Sequence, residues 1–163
     1  MRCVVMGVSG TGKSAIGTRL AKRLDIPYVE GDDLHPPENI ARMQAGIPLT
    51  DQDRRGWLLA LRDRIRRARE EGHDLVLTCS ALKRSYRDLL RQGDPGLIFV
   101  YLEGDRALIE KRMRQRSGHF MPVTLLDSQL RDLEPPQPDE RAIRVDIEDA
   151  PEVLVERVLR ALE

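Results

Sequence analysis

The sequence has few cysteines, no long apolar run and no excess of either charge, and each of these shortages excludes a class of protein. Two cysteines among 163 residues are too few for a disulfide framework, and both lie in apolar runs, where free cysteine behaves as a small hydrophobe. No apolar stretch approaches the length of a membrane span, and the first residues lack the apolar core of a signal peptide. We therefore expect a cytoplasmic protein with no membrane partner.

The charges of the chain balance, since 27 basic residues face 27 acidic ones. A chain with no net charge gives no support for binding to nucleic acid or anionic lipid. Any site that binds an anion must therefore be formed by a local group of basic residues. The length suits one domain spanning residues 1–163 and leaves no room for a second large one.

What the sequence does contain is a phosphate-binding pattern, G-x-x-x-x-G-K-[ST], directly after the short apolar run at 3–6. Its glycines let successive backbone N–H groups turn around a phosphate, and Lys13 adds a mobile positive charge. Ser14 opens the next helix, where its hydroxyl can ligate Mg²⁺ while the helix N-terminus attracts the same anion. We predict that a nucleoside triphosphate is bound by Gly7, Val8, Ser9, Gly10, Thr11, Gly12, Lys13 and Ser14.

Apolar runs suited to strands alternate with segments of helical periodicity, which predicts an α/β fold with a parallel sheet and helices on both faces. Thr50 is a good N-cap for a long helix that closes near Gly72, and Ser80 can cap the helix after the third strand. The unusual polar residues follow the carboxyl ends of strands, where α/β sheets bind ligands, and this favours an enzyme. The strand-like runs lie at 3–6, 28–30, 75–79, 97–102 and 143–147.

Carboxylates cluster at the end of the second predicted strand, where Glu30 and Asp32 flank Gly31. A carboxylate here could accept the proton of a substrate hydroxyl or hold a metal-bound water, as phosphoryl transfer requires. Turn formation and helix capping by Asp32 or Asp33 fit the same spacing equally well. His35 could hydrogen-bond a polyhydroxylated substrate, or it could only cap a turn before two prolines.

Two pairs of cations stand near predicted helix ends. Lys83 and Arg87 are four residues apart and could converge on one anionic group of a small substrate, or simply be solvated. Arg112 and Arg116 precede a glycine and suit a lid that closes over the triphosphate, although a basic helix end also complements the helix dipole. Trp57, on an apolar helical face, is predicted to be a core residue.

Together these motifs resemble those of the gluconate kinases, small sugar-acid kinases related to shikimate kinase and the nucleoside monophosphate kinases, over nearly the whole chain. The specific parts beyond the phosphate loop are Gly31 to Pro36, Asn39-Ile40 with Met43, Gly46 to Asp51 with Asp53-Arg54, Trp57-Leu58, Cys79 to Lys83, Tyr86 to Leu90 and Arg116 to Phe120.

The resemblance implies a P-loop NTPase fold of the nucleoside-monophosphate-kinase type, with three α/β/α layers around a five-stranded parallel sheet. It also implies a helical substrate-binding segment at about 33–72 and a lid at about 116–138. The implied activity is ATP-dependent phosphorylation of D-gluconate to 6-phosphogluconate, with Mg²⁺, by a protein that is commonly a homodimer.

Carried over by position, the resemblance makes Lys13, Asp32 and Arg116 catalytic, with Asp32 the base at the gluconate 6-hydroxyl and Arg116 the lid arginine. Ser14 holds Mg²⁺, and Arg112 lies against the adenine. The implied substrate contacts are Asp32, His35, Lys83 and Arg87.

The chain departs from the family at Glu30, where the usual residue is Asp, and Glu30 is therefore kept out of the predicted site. Two other interpretations remain open from the residues alone: a kinase of shikimate or another small hydroxy acid, and a regulatory module that binds nucleotide without transfer. A candidate base together with anion-binding cations favours the kinase, because a pure switch needs neither.

Overall fold

A parallel β-sheet forms the centre of the molecule. The computed structural model describes residues 1–115 and 124–163, and in that part of the chain five strands pair in the order β2-β3-β1-β4-β5, all parallel. This confirms the predicted α/β fold with a five-stranded parallel sheet. The strands are β1 Arg2–Met6, β2 Tyr28–Glu30, β3 Leu75–Thr78, β4 Ile98–Glu103 and β5 Ala142–Asp146.

The three middle strands, β3, β1 and β4, are apolar over most of their length because both of their faces are covered. Val4, Leu77 and Phe99, one from each of these strands, have no exposed surface. Such continuous apolar runs are typical of parallel sheets packed between two layers of helices. Since β2, β3 and β1 are neighbours, the loops that follow their carboxyl ends meet at one edge of the sheet.

Local signals set the bounds of several helices. The helix α1 starts directly after Gly12, whose φ of 94° lies in the left-handed region that glycine adopts freely. The start of α3 is a capping box: Thr50 Oγ1 accepts the Asp53 N–H at 3.1 Å, and Asp53 Oδ2 accepts the Thr50 N–H at 3.0 Å. The predicted Thr50 cap is thus confirmed. The helices are α1 Lys13–Leu24, α2 Pro37–Gln44, α3 Asp51–Glu70, α4 Arg84–Arg91, α5 Arg106–Gln115, α6 Leu125–Asp132 and α7 Pro151–Leu162.

The predicted Ser80 cap is wrong, because α4 begins only at Arg84 and has Lys83 at its N-cap position. Neighbouring segments hold the intervening residues in a non-helical path. The Gly7 N–H donates to Ser80 O at 3.3 Å, and the Glu134 N–H donates to Leu82 O at 2.8 Å. The loop after β3 therefore stays at the carboxyl edge of the sheet instead of winding into the helix.

The segment predicted to bind substrate, about 33–72, contains α2 and α3, and α3 packs against α4 and against the turn Gly31–Leu34. Apart from the main core, a small apolar cluster joins Met43 and Leu49 of this segment to Leu125 of α6. Of the predicted lid at about 116–138, residues 116–123 lie outside the described part of the chain. In the described residues no helix is both long enough and apolar enough to cross a membrane.

Candidate active site

The phosphate loop lies between β1 and α1 in the form that its sequence predicts. Lys13 folds back over the loop, and its Nζ donates to Gly7 O at 3.0 Å and Val8 O at 3.2 Å. Thr11 Oγ1 donates to Val8 O at 2.7 Å and braces the turn from inside. The ammonium of Lys13 is therefore held above the loop, on the side where phosphate oxygens would approach.

A carboxylate outside the predicted set, that of Glu30, stands beside Ser14. Ser14 Oγ and Tyr28 Oη each donate to Glu30 Oε2 at 2.6 Å, and Thr78 Oγ1 donates to Oε1 at 3.0 Å. Burial alone would raise the pKa of Glu30, but these three hydrogen bonds outweigh it and lower the pKa. The longer side chain thus reaches the Ser14 hydroxyl as a charged carboxylate. The signal in the sequence was its position two residues before Asp32.

Asp32 enters the pocket because the chain can pass close to the end of β3. A side chain at Gly31 would place its Cβ only 1.8 Å from Thr78 O, so only glycine permits this approach. The short 3₁₀ turn Gly31–Leu34 then puts Asp32 on the wall of a pocket that Lys13 also lines, whereas Asp33 is exposed. The sequence left these two aspartates equivalent, and only Asp32 faces the phosphate loop.

His35 is buried in the same pocket. Its ring stacks on Trp57 with 3.9 Å between ring centroids, its Nδ1 lies 3.3 Å from Asn39 Nδ2, and its Nε2 lies 4.0 Å from Asp32 Oδ1. Burial, with the positive charge of Arg54, lowers the pKa of His35 to about 4, so the ring is neutral at pH 7. A neutral imidazole has one ring nitrogen that donates and one that accepts, so it can hydrogen-bond hydroxyl groups in either direction.

Trp57 is a core residue, as predicted, and it also supports the pocket. Its side chain is 2% exposed, and its Nε1 donates to Gly31 O at 2.8 Å. Because the same ring carries His35 on its face, Trp57 fixes both the turn before Asp32 and the orientation of the imidazole.

Arg54 is a site residue that the sequence predictions missed. Besides Lys13, it is the one Lys or Arg among the described residues that line the pocket, and it is buried. Its Nη1 donates to Tyr86 Oη at 2.7 Å and to Asp132 Oδ2 at 3.0 Å. The signal was available, because Arg54 occupies the apolar stripe of α3 that continues through Trp57 and Leu61. An arginine on a core-facing stripe is almost never buried unless its guanidinium has a polar partner.

The predicted pairing of Lys83 and Arg87 on one anion is not what the structure shows. Arg87 is completely buried, and its guanidinium donates to both oxygens of Glu140 and to the carbonyl oxygens of Ala81, Leu82 and Glu134. It bonds the backbone of the loop after β3 and does not line the pocket. This is a correction: the spacing of four residues is real, but Lys83 precedes the helix and only Arg87 lies on it.

Lys83 does not line the pocket but follows Leu82, which does, and it pairs with Asp51. The Lys83 Nζ lies 3.0 Å from Asp51 Oδ1, and Tyr86 Oη donates to the same oxygen. The hydrogen bond from Tyr86, followed by that from Lys83, lowers the pKa of Asp51, and the bond to Asp51 raises the pKa of Lys83. Through Tyr86 this exposed pair connects to the buried Arg54.

Of the two arginines predicted to serve the lid and the adenine, Arg116 and Arg112, the structure describes only Arg112. Arg112 lies on α5, and its Nη2 donates to Ile147 O just beyond the carboxyl end of β5. Arg116 lies outside the described residues. The far wall of the pocket comes from α6, which contributes Leu125, Ser128 and Gln129, none of them predicted.

A phosphate loop at the end of β1, a carboxylate at the end of β2 and a polar acceptor pocket between them define a P-loop kinase of a small molecule. The sequence model of the family described as an AAA domain matches residues 3–136. The chain is 50% identical to the gluconokinase of Gluconobacter oxydans over 157 residues, which cover 96% of this chain and 88% of that one. The chain therefore belongs to the gluconokinase family.

Solved structures agree with this assignment. A gluconokinase from Sinorhizobium meliloti superposes with a TM-score of 0.90 at 48% identity, covering 99% of this chain and 90% of that one. The shikimate kinase of Aquifex aeolicus superposes with a TM-score of 0.68 at 17% identity, covering 99% and 96%, and at that distance it shows the shared fold alone.

Proposed function

We propose that this protein transfers the γ-phosphoryl group of ATP to the 6-hydroxyl of D-gluconate. The observation that carries the proposal is that Asp32 and Lys13 line one pocket. A candidate base and the phosphate loop can therefore contact ligands bound in the same pocket. Membership of the gluconokinase family selects gluconate among small hydroxy acids.

The reaction follows from this placement. The 6-hydroxyl oxygen attacks the γ-phosphorus while its proton passes to the Asp32 carboxylate, and the bond from the γ-phosphorus to the bridging oxygen breaks, leaving ADP. Lys13 and the loop N–H groups balance the charge that spreads over the phosphate oxygens. The products are 6-phosphogluconate and ADP, and the proton on Asp32 is then lost to solvent.

Ser14 and Glu30 are the residues that would hold Mg²⁺. Their oxygens lie 2.6 Å apart beside the phosphate loop, and hard oxygen donors are what this ion prefers. In the described residues no cluster of three or more His, Cys, Asp or Glu forms a cage for a metal, which fits an ion held by one or two protein oxygens together with substrate phosphates. When bound, Mg²⁺ supplies charge neutralisation and orients the phosphates.

The acceptor contacts we propose are Asp32, His35 and Arg54, together with Lys83. Arg54 takes the place that spacing assigned to Arg87, because it is the arginine that lines the pocket. A guanidinium presents a planar fork that matches a carboxylate, and neutral His35 suits the sugar hydroxyls. Arg112 remains our proposal for the adenine side, and Arg116 for the lid.

The test is an ADP-release assay of purified protein with Mg-ATP and a panel of acceptors: gluconate, other aldonates, shikimate, glycerate and nucleoside monophosphates. We expect turnover that depends on gluconate, with the other acceptors weaker. If gluconate gave no turnover above the rate with ATP alone, the proposed acceptor would be wrong.

Two further properties complete the proposal. We propose a homodimer, as the resemblance to the family implies, and sedimentation at micromolar concentration would reveal a monomer if this is wrong. We also propose a cytoplasmic location. Its support is that Cys3 and Cys79 are both buried and free, the usual state of cysteines in a reducing compartment.

A further inference from the structure

The helix α6 touches both halves of the proposed site, and the contacts come from one stripe of its surface. Leu125, Gln129 and Asp132 are spaced by four and three residues, so they lie on one helical face. Each of them meets a different part of the pocket wall. This arrangement makes α6 a bridge between the phosphate loop and the segment that would bind the acceptor.

The contact with the phosphate loop is a two-point hydrogen bond. Gln129 Oε1 accepts the backbone N–H of Ser9 at 2.8 Å, and Gln129 Nε2 donates to Ser9 Oγ at 3.3 Å. Both residues are buried, with 8% and 7% of their surface exposed. A buried side-chain amide that pairs with both a backbone and a side-chain group of one residue restricts that residue more than either bond alone.

The contacts with the acceptor segment lie at the two ends of the same stripe. Asp132 Oδ2 accepts from Arg54 Nη1 at 3.0 Å, so the helix holds the cation that we assign to the gluconate carboxylate. At the other end Leu125, 3% exposed, packs with Met43 and Leu49. A shift of α6 would thus move Arg54 and Ser9 together.

We propose that Gln129 is a positioning residue that couples the phosphate loop to the acceptor pocket, so that ATP and the acceptor each strengthen binding of the other. The identity of the acceptor rests on the proposed function, but the coupling does not. A ligand that fixes the position of the phosphate loop at Ser9 also fixes the position of α6 through Gln129. The helix α6 in turn fixes the side chain of Arg54 through Asp132. Coupling of this kind is reciprocal by thermodynamic necessity.

The experiment compares wild type with Gln129→Met, which keeps the length of the side chain and removes both hydrogen bonds. Gluconate is titrated calorimetrically with and without a non-hydrolysable ATP analogue, and the analogue with and without gluconate. We expect the wild-type protein to bind each ligand roughly tenfold more tightly in the presence of the other, within the usual range of coupling, and the variant to lose most of this factor. The affinity for the analogue alone, measured in each protein, is the reference from which that protein's coupling factor is calculated.

A second readout does not need gluconate. Adding the ATP analogue alone should slow amide hydrogen exchange in α6 of the wild type and leave it unchanged in Gln129→Met. If gluconate failed to bind at all, the proposed function would fall while this readout still decided the coupling. An equal coupling factor in both proteins, no coupling in the wild type, or equal protection of α6 would overturn the inference.

Two further variants keep the result interpretable. Gln92→Met makes the same chemical change at an exposed glutamine that bonds only Arg62 among the described contacts, and it should retain the full coupling factor. Ser9→Ala removes one of the two hydrogen bonds, so it should lower the factor partly and combine with Gln129→Met less than additively. It also serves as the test if Gln129→Met does not fold, since an unchanged factor in Ser9→Ala would contradict the coupling.

Discussion

Individual side chains in this site differ sharply in what surrounds them, and that decides their chemistry. Asp32 and Asp33 are adjacent and chemically identical, yet Asp32 lines the pocket with Lys13 while Asp33 is exposed. A general base must reach the proton that it accepts, so position separates the two before acidity does.

Replacing Asp32 with Asn should lower kcat by roughly 100-fold or more, because the amide cannot take the hydroxyl proton. The matched control, Asp33→Asn, should retain most of the activity. Steady-state kinetics with gluconate and Mg-ATP, together with a separate measurement of ATP binding, would check both variants. Near wild-type turnover of Asp32→Asn would remove it from the role of base.

The cation that binds the acceptor carboxylate can be identified by comparing Arg54 with Lys83. Arg54→Lys keeps the charge but loses the planar fork, so we expect the KM for gluconate to rise roughly tenfold or more, the usual cost of a lost charge-assisted bond. Lys83→Ala should raise it less, because its ammonium already bonds Asp51 at 3.0 Å. Equal KM values for wild type and Arg54→Lys, with a large rise for Lys83→Ala, would reverse the assignment.

At the scale of elements, the loop after β3 is held by a buried ion pair that links α4 to the segment before β5. Burial alone would raise the pKa of Glu140, but hydrogen bonds from Arg87, the Gln137 N–H and Arg91 lower it to about 2. Neither side chain of the Arg87–Glu140 pair is exposed, and they meet at 2.7 Å. Arg87 thereby supports Ala81 and Leu82, whose neighbour Ser80 lines the pocket.

Removing one partner of this pair should be costly. Without Arg87, buried Glu140 keeps hydrogen bonds from only Arg91 and the Gln137 N–H among the described residues, and without Glu140, buried Arg87 keeps only carbonyl oxygens there. We expect Arg87→Met to lower the free energy of unfolding by roughly 3–5 kcal/mol, and the double variant Arg87→Met with Glu140→Met to lose less than the sum of the single changes. Urea denaturation would measure this. Arg23→Met, which breaks the exposed pair with Glu156, is the control and should have little effect. An Arg87→Met protein as stable as wild type would contradict the structural role of this ion pair.

At the scale of the whole molecule, the stability of the fold depends on pH through a residue of the candidate site, His35. Folding moves its pKa from 6.5 to about 4, through burial and then the charge of Arg54. As pH falls, the unfolded chain binds the proton first. The stability that neutral His35 contributes is therefore complete above pH 6.5 and is lost as the pH falls toward 4.

Wild type should consequently lose about 2 kcal/mol more of its free energy of unfolding between pH 7 and pH 5 than His35→Gln does. Denaturant unfolding at both pH values would measure the difference. Groups with lowered pKa such as Glu140 titrate in both proteins and cancel in the comparison. Identical pH dependence in the two proteins would show that His35 is not the titrating group.

Local patterns in the sequence were enough to predict the features that depend on residues close together in the chain. Thr50 with Asp53 specifies a helix start, and the glycines around Lys13 specify a phosphate loop, because capping and backbone freedom act over a few positions. Alternation of strands and helices was enough to predict the parallel sheet, which the structure confirms. The family could also be predicted, because each motif is a short pattern and the order of the motifs is read directly along the chain.

Which charges meet, by contrast, was settled by packing in three dimensions. Arg87 turns to Glu140, 53 positions away, and Arg54 to Asp132, 78 positions away, and no spacing rule reaches that far. A buried guanidinium goes where enough acceptors converge, and that depends on how α3, α4 and α6 pack. The same packing separated Asp32 from Asp33 and brought Gln129 to Ser9. The phosphate loop could therefore be predicted from the sequence, whereas Arg54 and the α6 side of the pocket could not.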